Sequence, residues 1–98
     1  MTDSKPSVPS RAHILVSGRV QGVGYRAFAA RVATERKLVG GVRNLDDGRV
    51  ELDVEGPREI IEALLVELGV GPPAARVKTV TVEWNPGTKR FAEFQVWY

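Results

Sequence analysis

Apolar residues recur along this chain with two different periods, and the switches between them lay out the fold. Over residues 13–20, Ile14, Val16 and Val20 fall on one side, the period-two pattern of a half-buried strand. From Tyr25 the spacing changes. Tyr25, Phe28, Ala29, Val32 and Ala33 stand at i, i+3, i+4, i+7 and i+8, which predicts an amphipathic helix over residues 25–37. Residues 38–45 return to an extended pattern, and Asp46-Asp47-Gly48 reads as a hairpin turn. Residues 49–55 then alternate, with Val50, Leu52 and Val54 inward and Glu51, Asp53 and Glu55 outward. Pro57 suits the start of a second helix, in which Ile60, Leu64 and Leu68 form one row and Ile61 and Leu65 the next. Gly69 is its expected stop. After the Gly71-Pro72-Pro73 loop, Val80, Val82 and Trp84 mark a fourth strand, broken by Asn85-Pro86-Gly87. Phe94, Val96 and Tyr98 mark a short last one.

The order β-α-β-β-α-β plus one more strand is the split βαβ, ferredoxin-like plan of the α+β class. It places two helices on one face of a mostly antiparallel sheet and leaves the other face open. Where the last strand joins the sheet stays undetermined by the pattern. Residues 1–11 (MTDSKPSVPSR) carry Ser, Pro and charge without an apolar period, so they are expected to form a disordered tail ahead of a single domain over 12–98.

Composition narrows the functional classes. A chain of 98 residues supports one core, and 43% hydrophobic with 27% charged residues is ordinary for a globular protein. No apolar run approaches the ~20 residues of a membrane span, nor does the N-terminus have a signal-peptide core; a cytoplasmic protein without membrane contact is expected. Zero cysteines exclude disulfides, thiolate catalysis and cysteine-ligated metals. The single histidine, His13, opens a strand and reads as incidental. No metal and no cofactor are therefore expected. Fourteen basic against twelve acidic residues, a net +2, make no case for nucleic acid.

The chemistry concentrates in Gly18-Arg19-Val20-Gln21-Gly22-Val23-Gly24-Tyr25-Arg26. A strand ends, glycines follow, and a helix begins. Glycines let backbone N–H groups converge on an anion, and a helix start adds free N–H groups and a positive dipole end. Arg26 falls in the first helical turn, where that dipole disfavours a cation. The placement makes sense if loop, helix end and guanidinium share an anion, and a guanidinium grips two phosphate oxygens at once. The plainer reading is a glycine pair that merely turns strand into helix, with a solvated arginine beside it. No Gly-Lys-Ser/Thr follows, so this is not a P-loop, and the spacing is not G-x-G-x-x-G. Asn44, just before the hairpin turn, is the second candidate. Asparagine there commonly serves the turn itself, yet its amide can also hold a water in line with a bound phosphorus.

The run Gly18 to Arg26, together with Gly40-Gly41-Val42-Arg43-Asn44-Leu45-Asp46-Asp47-Gly48-Arg49-Val50-Glu51, resembles the two motifs of the acylphosphatase family. The likeness continues through Glu55-Gly56 and Gly71-Pro72-Pro73-Ala74 to the aromatic C-terminal strand, covering about residues 12–98. The chain departs from the family's pattern at Gly41, where Trp is common, and has Tyr25 for the commoner Phe. The resemblance implies metal-independent hydrolysis of acyl phosphates, small-molecule substrates, to a carboxylate and inorganic phosphate, by a monomer. It implies that Arg26 and the amides of Gln21, Gly22, Val23, Gly24, Tyr25 and Arg26 hold the phosphoryl oxygens while Asn44 orients the attacking water.

Three rivals stand beside it. RNA-recognition modules share the strand order, but they stack bases on aromatics of the open sheet face, where this chain puts Glu51, Asp53 and Glu55. A non-catalytic anion-binding domain would keep Arg26 and need no Asn44. An acylphosphatase-like domain of a larger carbamoyl-transfer factor is disfavoured because little sequence lies beyond the domain.

Overall fold

The computed structural model describes residues 9–98, and its elements follow the predicted order. They are β1 (Ser10–Arg19), α1 (Tyr25–Glu35), β2 (Val39–Asn44), β3 (Val50–Gly56), α2 (Arg58–Val70), β4 (Arg76–Pro86) and β5 (Phe94–Val96). The sheet runs β4-β1-β3-β2-β5. All pairs are antiparallel except β2 with β5, which is parallel and joins Gly40, Gly41 and Val42 to Phe94, Gln95 and Val96.

Both helices lie on one face, α1 against β2 and β5, α2 against β4, β1 and β3. The period-two residues Ile14, Val16, Leu52 and Val54 meet the helical rows Ala29, Val32, Ala33, Ile61, Leu64 and Leu68, all buried. This is the layered burial that the two periods require.

Element boundaries and one burial differ from the sequence-based expectation. Strand β1 reaches back to Ser10 because Arg11 is held by Asp53, Nε at 2.8 Å and Nη2 at 2.5 Å. Residues 10 and 11 thus belong to the sheet, while residues 1–8 of the expected tail lie outside the described residues. Helix α1 ends at Glu35, with Lys37 turned to φ 60. Helix α2 runs past Gly69 and stops at Gly71, whose φ of 72 ends it. Glu55 points to the open face as its parity requires, yet it is only 2% exposed. The segment after β4 folds over it: Thr88 N–H (2.9 Å), Lys89 N–H (2.8 Å) and the Thr88 hydroxyl all donate to its carboxylate.

Candidate active site

The two motifs meet at one edge of the domain. Gln21, between β1 and α1, sends its side-chain amide to the carbonyls of Leu45 (2.8 Å) and Arg49 (2.9 Å) in the β2–β3 hairpin. One side chain thereby ties the glycine loop to the turn that follows Asn44.

The loop is built to expose its amides. Gly22 and Gly24 take φ 74 and φ 81, a conformation that a side chain would make costly. Among the described residues, no backbone or side-chain acceptor takes the N–H groups of residues 21–26; the first satisfied donor is Phe28, bonded to Gly24 O at 3.1 Å. Among the described residues helix α1 has no side-chain cap, and its first turn contains no acidic residue. These are the conditions for an anion at a helix start.

Arg26 leaves that turn toward a cleft of about 510 Å³ that it shares with Arg43 and Asn44. Its guanidinium lies 5.1 Å from the centre of the Tyr98 ring, a cation–π distance, and among the described residues no carboxylate comes within 4.0 Å of it. Asn44 closes β2 opposite Val50. Its Oδ1 is buried without a hydrogen-bond partner among the described residues, which is unusual for a buried acceptor and leaves it able to accept from a water. Leu45, Asp46 and Trp97 complete the cleft wall.

Not every expected residue faces this space. Residues 21–25 do not line the cleft themselves; they adjoin it through the Gln21 bonds and through Arg26. The Tyr25 ring is buried, its hydroxyl donating to Leu68 O at 2.6 Å, so it anchors α1 to α2. Burial pushes the Tyr25 phenol well above its ordinary range, leaving it a neutral donor. Val23 packs on the core.

Arg43, Trp97 and Tyr98 were not singled out as site residues from sequence. The alternation of β2 that buries Val42 puts Arg43 on the open face, where its Nε bonds Glu51 at 2.6 Å. His13 Nε2 sits 2.6 Å from the other oxygen of Glu51. Burial alone would raise the Glu51 carboxyl, but the His13 and Arg43 hydrogen bonds and the Arg43 charge outweigh it and hold it below the ordinary range. The acidic stripe of the open face is thus paired with His13, Arg43 and Arg11 rather than bare. It repels phosphate less than three free carboxylates would.

The position at which the chain departs from the family pattern also finds its reason here. A Cβ on Gly41 would come within 2.1 Å of the Trp97 indole. The indole occupies the space in which another side chain would stand.

A family model described as Acylphosphatase matches residues 12–96. The chain belongs to the acylphosphatase family. It is 56% identical over 86 residues to an acylphosphatase of Methylococcus capsulatus, covering 88% of this chain and 94% of that one. The crystal structure of acylphosphatase from Bacillus subtilis superposes with a TM-score of 0.88 at 37% identity, over 91% of this chain and 99% of that one. The fold also matches 13% of a full-length HypF, at 25% identity and a TM-score of 0.83. The backbone fold is thus shared over nearly all of the matched acylphosphatase and nine-tenths of this chain.

Proposed function

We propose that Arg26 and the free amides of residues 21–26 hold the phosphoryl group of an acyl phosphate, and that Asn44 positions the water that attacks it. Membership of the acylphosphatase family makes the chain a hydrolase acting on acyl phosphates. The observation that carries the residue roles is the meeting of Arg26 with Asn44 in one cleft, the latter with a buried oxygen that has no partner among the described residues.

The chemistry asks little of the protein beyond placement and charge. The water oxygen forms a bond to phosphorus while the bond from phosphorus to the acyl oxygen breaks, its electron pair leaving with the carboxylate. Because a carboxylate is a good leaving group, no general acid is needed. The water's proton passes to a phosphoryl oxygen, so the products are carboxylate and inorganic phosphate. Charge gathers on the equatorial oxygens, where the Arg26 fork and the loop amides stabilise it. Asn44 restricts the water to the in-line direction.

No metal enters this reading. What supports it is the donor set: among the described residues no three His, Cys, Asp or Glu side chains gather as ligands. Turnover of benzoyl phosphate with and without excess EDTA tests it. Activity lost on chelation and restored by a divalent ion would overturn the metal-free mechanism.

The same reading makes the chain a cytoplasmic monomer that acts on a small molecule, not on nucleic acid. On the open face the central strands β1 and β3 offer Arg11, His13, Leu15, Glu51 and Asp53 rather than aromatics, so bases have no stacking platform there. Among the described residues, no helix is long and apolar enough to cross a membrane. Elution of a folded monomer that fails to shift single-stranded RNA is the expected behaviour.

A further inference from the structure

We propose that the Trp97 indole is the surface against which the acyl half of the substrate packs, giving this chain a preference for aromatic acyl phosphates over acetyl phosphate. The inference rests on the phosphoryl group being held at Arg26 and Asn44. A phosphoryl group needs only a few times the roughly 30 Å³ of a liquid water, so a cleft of about 510 Å³ leaves most of its space to the rest of the substrate.

Two aromatic rings reach that space, and they are not equivalent. Tyr98 is fully exposed and its ring sits beneath the Arg26 guanidinium, which commits it to the phosphate end. Trp97 is fixed from three sides. Its backbone N–H donates to Val42 O at 2.7 Å. Its ring packs on Phe91 at 5.9 Å between centroids, tilted by 41°. Beneath it lies Gly41, where even a Cβ would strike the indole. A flat, pre-placed ring loses little freedom when a second ring stacks on it, which is where aromatic contacts gain their affinity. Arg43, the other large side chain there, is held back by Glu51.

The test measures kcat and KM for benzoyl phosphate and acetyl phosphate. In Trp97→Ala the ratio of kcat/KM, benzoyl over acetyl, falls about 3- to 10-fold, mainly through a raised KM for the benzoyl substrate. Trp97→Phe restores most of the ratio. Gly41→Ala keeps the indole but displaces it, and lowers the same ratio by a smaller factor, which decides the matter should Trp97→Ala not fold. An unchanged ratio in folded Trp97→Ala, or in folded Gly41→Ala if the former is unfolded, overturns the proposal. Failure of the unaltered protein to turn over either substrate would instead strike at the hydrolase reading on which it rests.

Discussion

The two helices pack on the same sheet face, but their first turns are finished in opposite ways. Helix α2 begins after Pro57, whose carbonyl takes the N–H groups of Ile60 (3.0 Å) and Ile61 (3.1 Å), and it carries Glu59 at its positive end, with its own first-turn cation, Arg58, paired to Glu62 at 3.3 Å. Helix α1 begins after Gly24 at φ 81, ψ 16, with no side-chain cap, no carboxylate and a cation, Arg26, where the dipole disfavours one. Neither start has a side-chain cap among the described residues, but in α2 the chain's own carboxylates balance the charge. In α1 nothing in the first turn does so, and under the proposed function an anion from outside takes that part, so the difference marks where a ligand would supply stability.

The largest effect should come from deleting the misplaced cation. Arg26→Ala is expected to lower kcat/KM for acetyl phosphate by about 10³-fold, the upper range for one preorganised donor, because the fork is charged and two-pronged. Arg26→Lys recovers only part, a point charge being unable to span two oxygens. Steady-state kinetics check both, and a folded Arg26→Ala protein with near-normal rates would erase the contrast between the helices.

Asn44→Ala should cost about 10²-fold in kcat while phosphate still binds. Equal losses in turnover and phosphate affinity would place Asn44 in the cradle instead of beside the water.

The anion itself is the third probe. Phosphate at ~10 times Kd should stabilise the protein by roughly 1.4 kcal/mol, or about 5 °C in Tm, with chloride at matched ionic strength as control. Arg26→Ala should remove most of that shift in a thermal melt.

The smallest effects come from exchanging the finishes. Exposed Ala27 replaced by Glu should stabilise α1 by about 0.3–1 kcal/mol and weaken phosphate binding, making α1 resemble α2. Glu59→Gln should lose a similar amount with unchanged kinetics. Denaturant midpoints and phosphate titrations separate the two cases.

How far all this was readable before the structure depends on sequence distance. The strands, helices and loop glycines follow from patterns within a dozen residues, and the charge conflict at Arg26 is visible in the run around it. The Gln21 bonds to Leu45 and Arg49 span more than twenty residues and leave no periodic trace. The pattern points to Gly69 as the stop of α2, yet Gly71 fits the composition equally, and only the chain's turn toward β4 selects it. Trp97 could not be placed over Gly41, since that requires knowing that β5 adds parallel to β2. The outward parity of Glu55 was legible; its cover, arriving from residues 88 and 89, was not.

That cover gives the domain an acid-sensitive seam. Burial raises the Glu55 carboxyl, but the Thr88 and Lys89 hydrogen bonds and the Arg11 charge outweigh it, so the folded value lies below the ordinary one. A depressed carboxyl stabilises the fold above its unfolded value and ceases to do so as pH falls through the folded one. Acidification therefore withdraws the grip on residues 88–89 and with it the tether of the three-residue β5. Amide exchange in moderate acid should quicken first across residues 88–96, while Leu52 and Val54 in the sheet centre stay protected. The strand that brings Trp97 to the cleft is then the first part of the sheet to peel away.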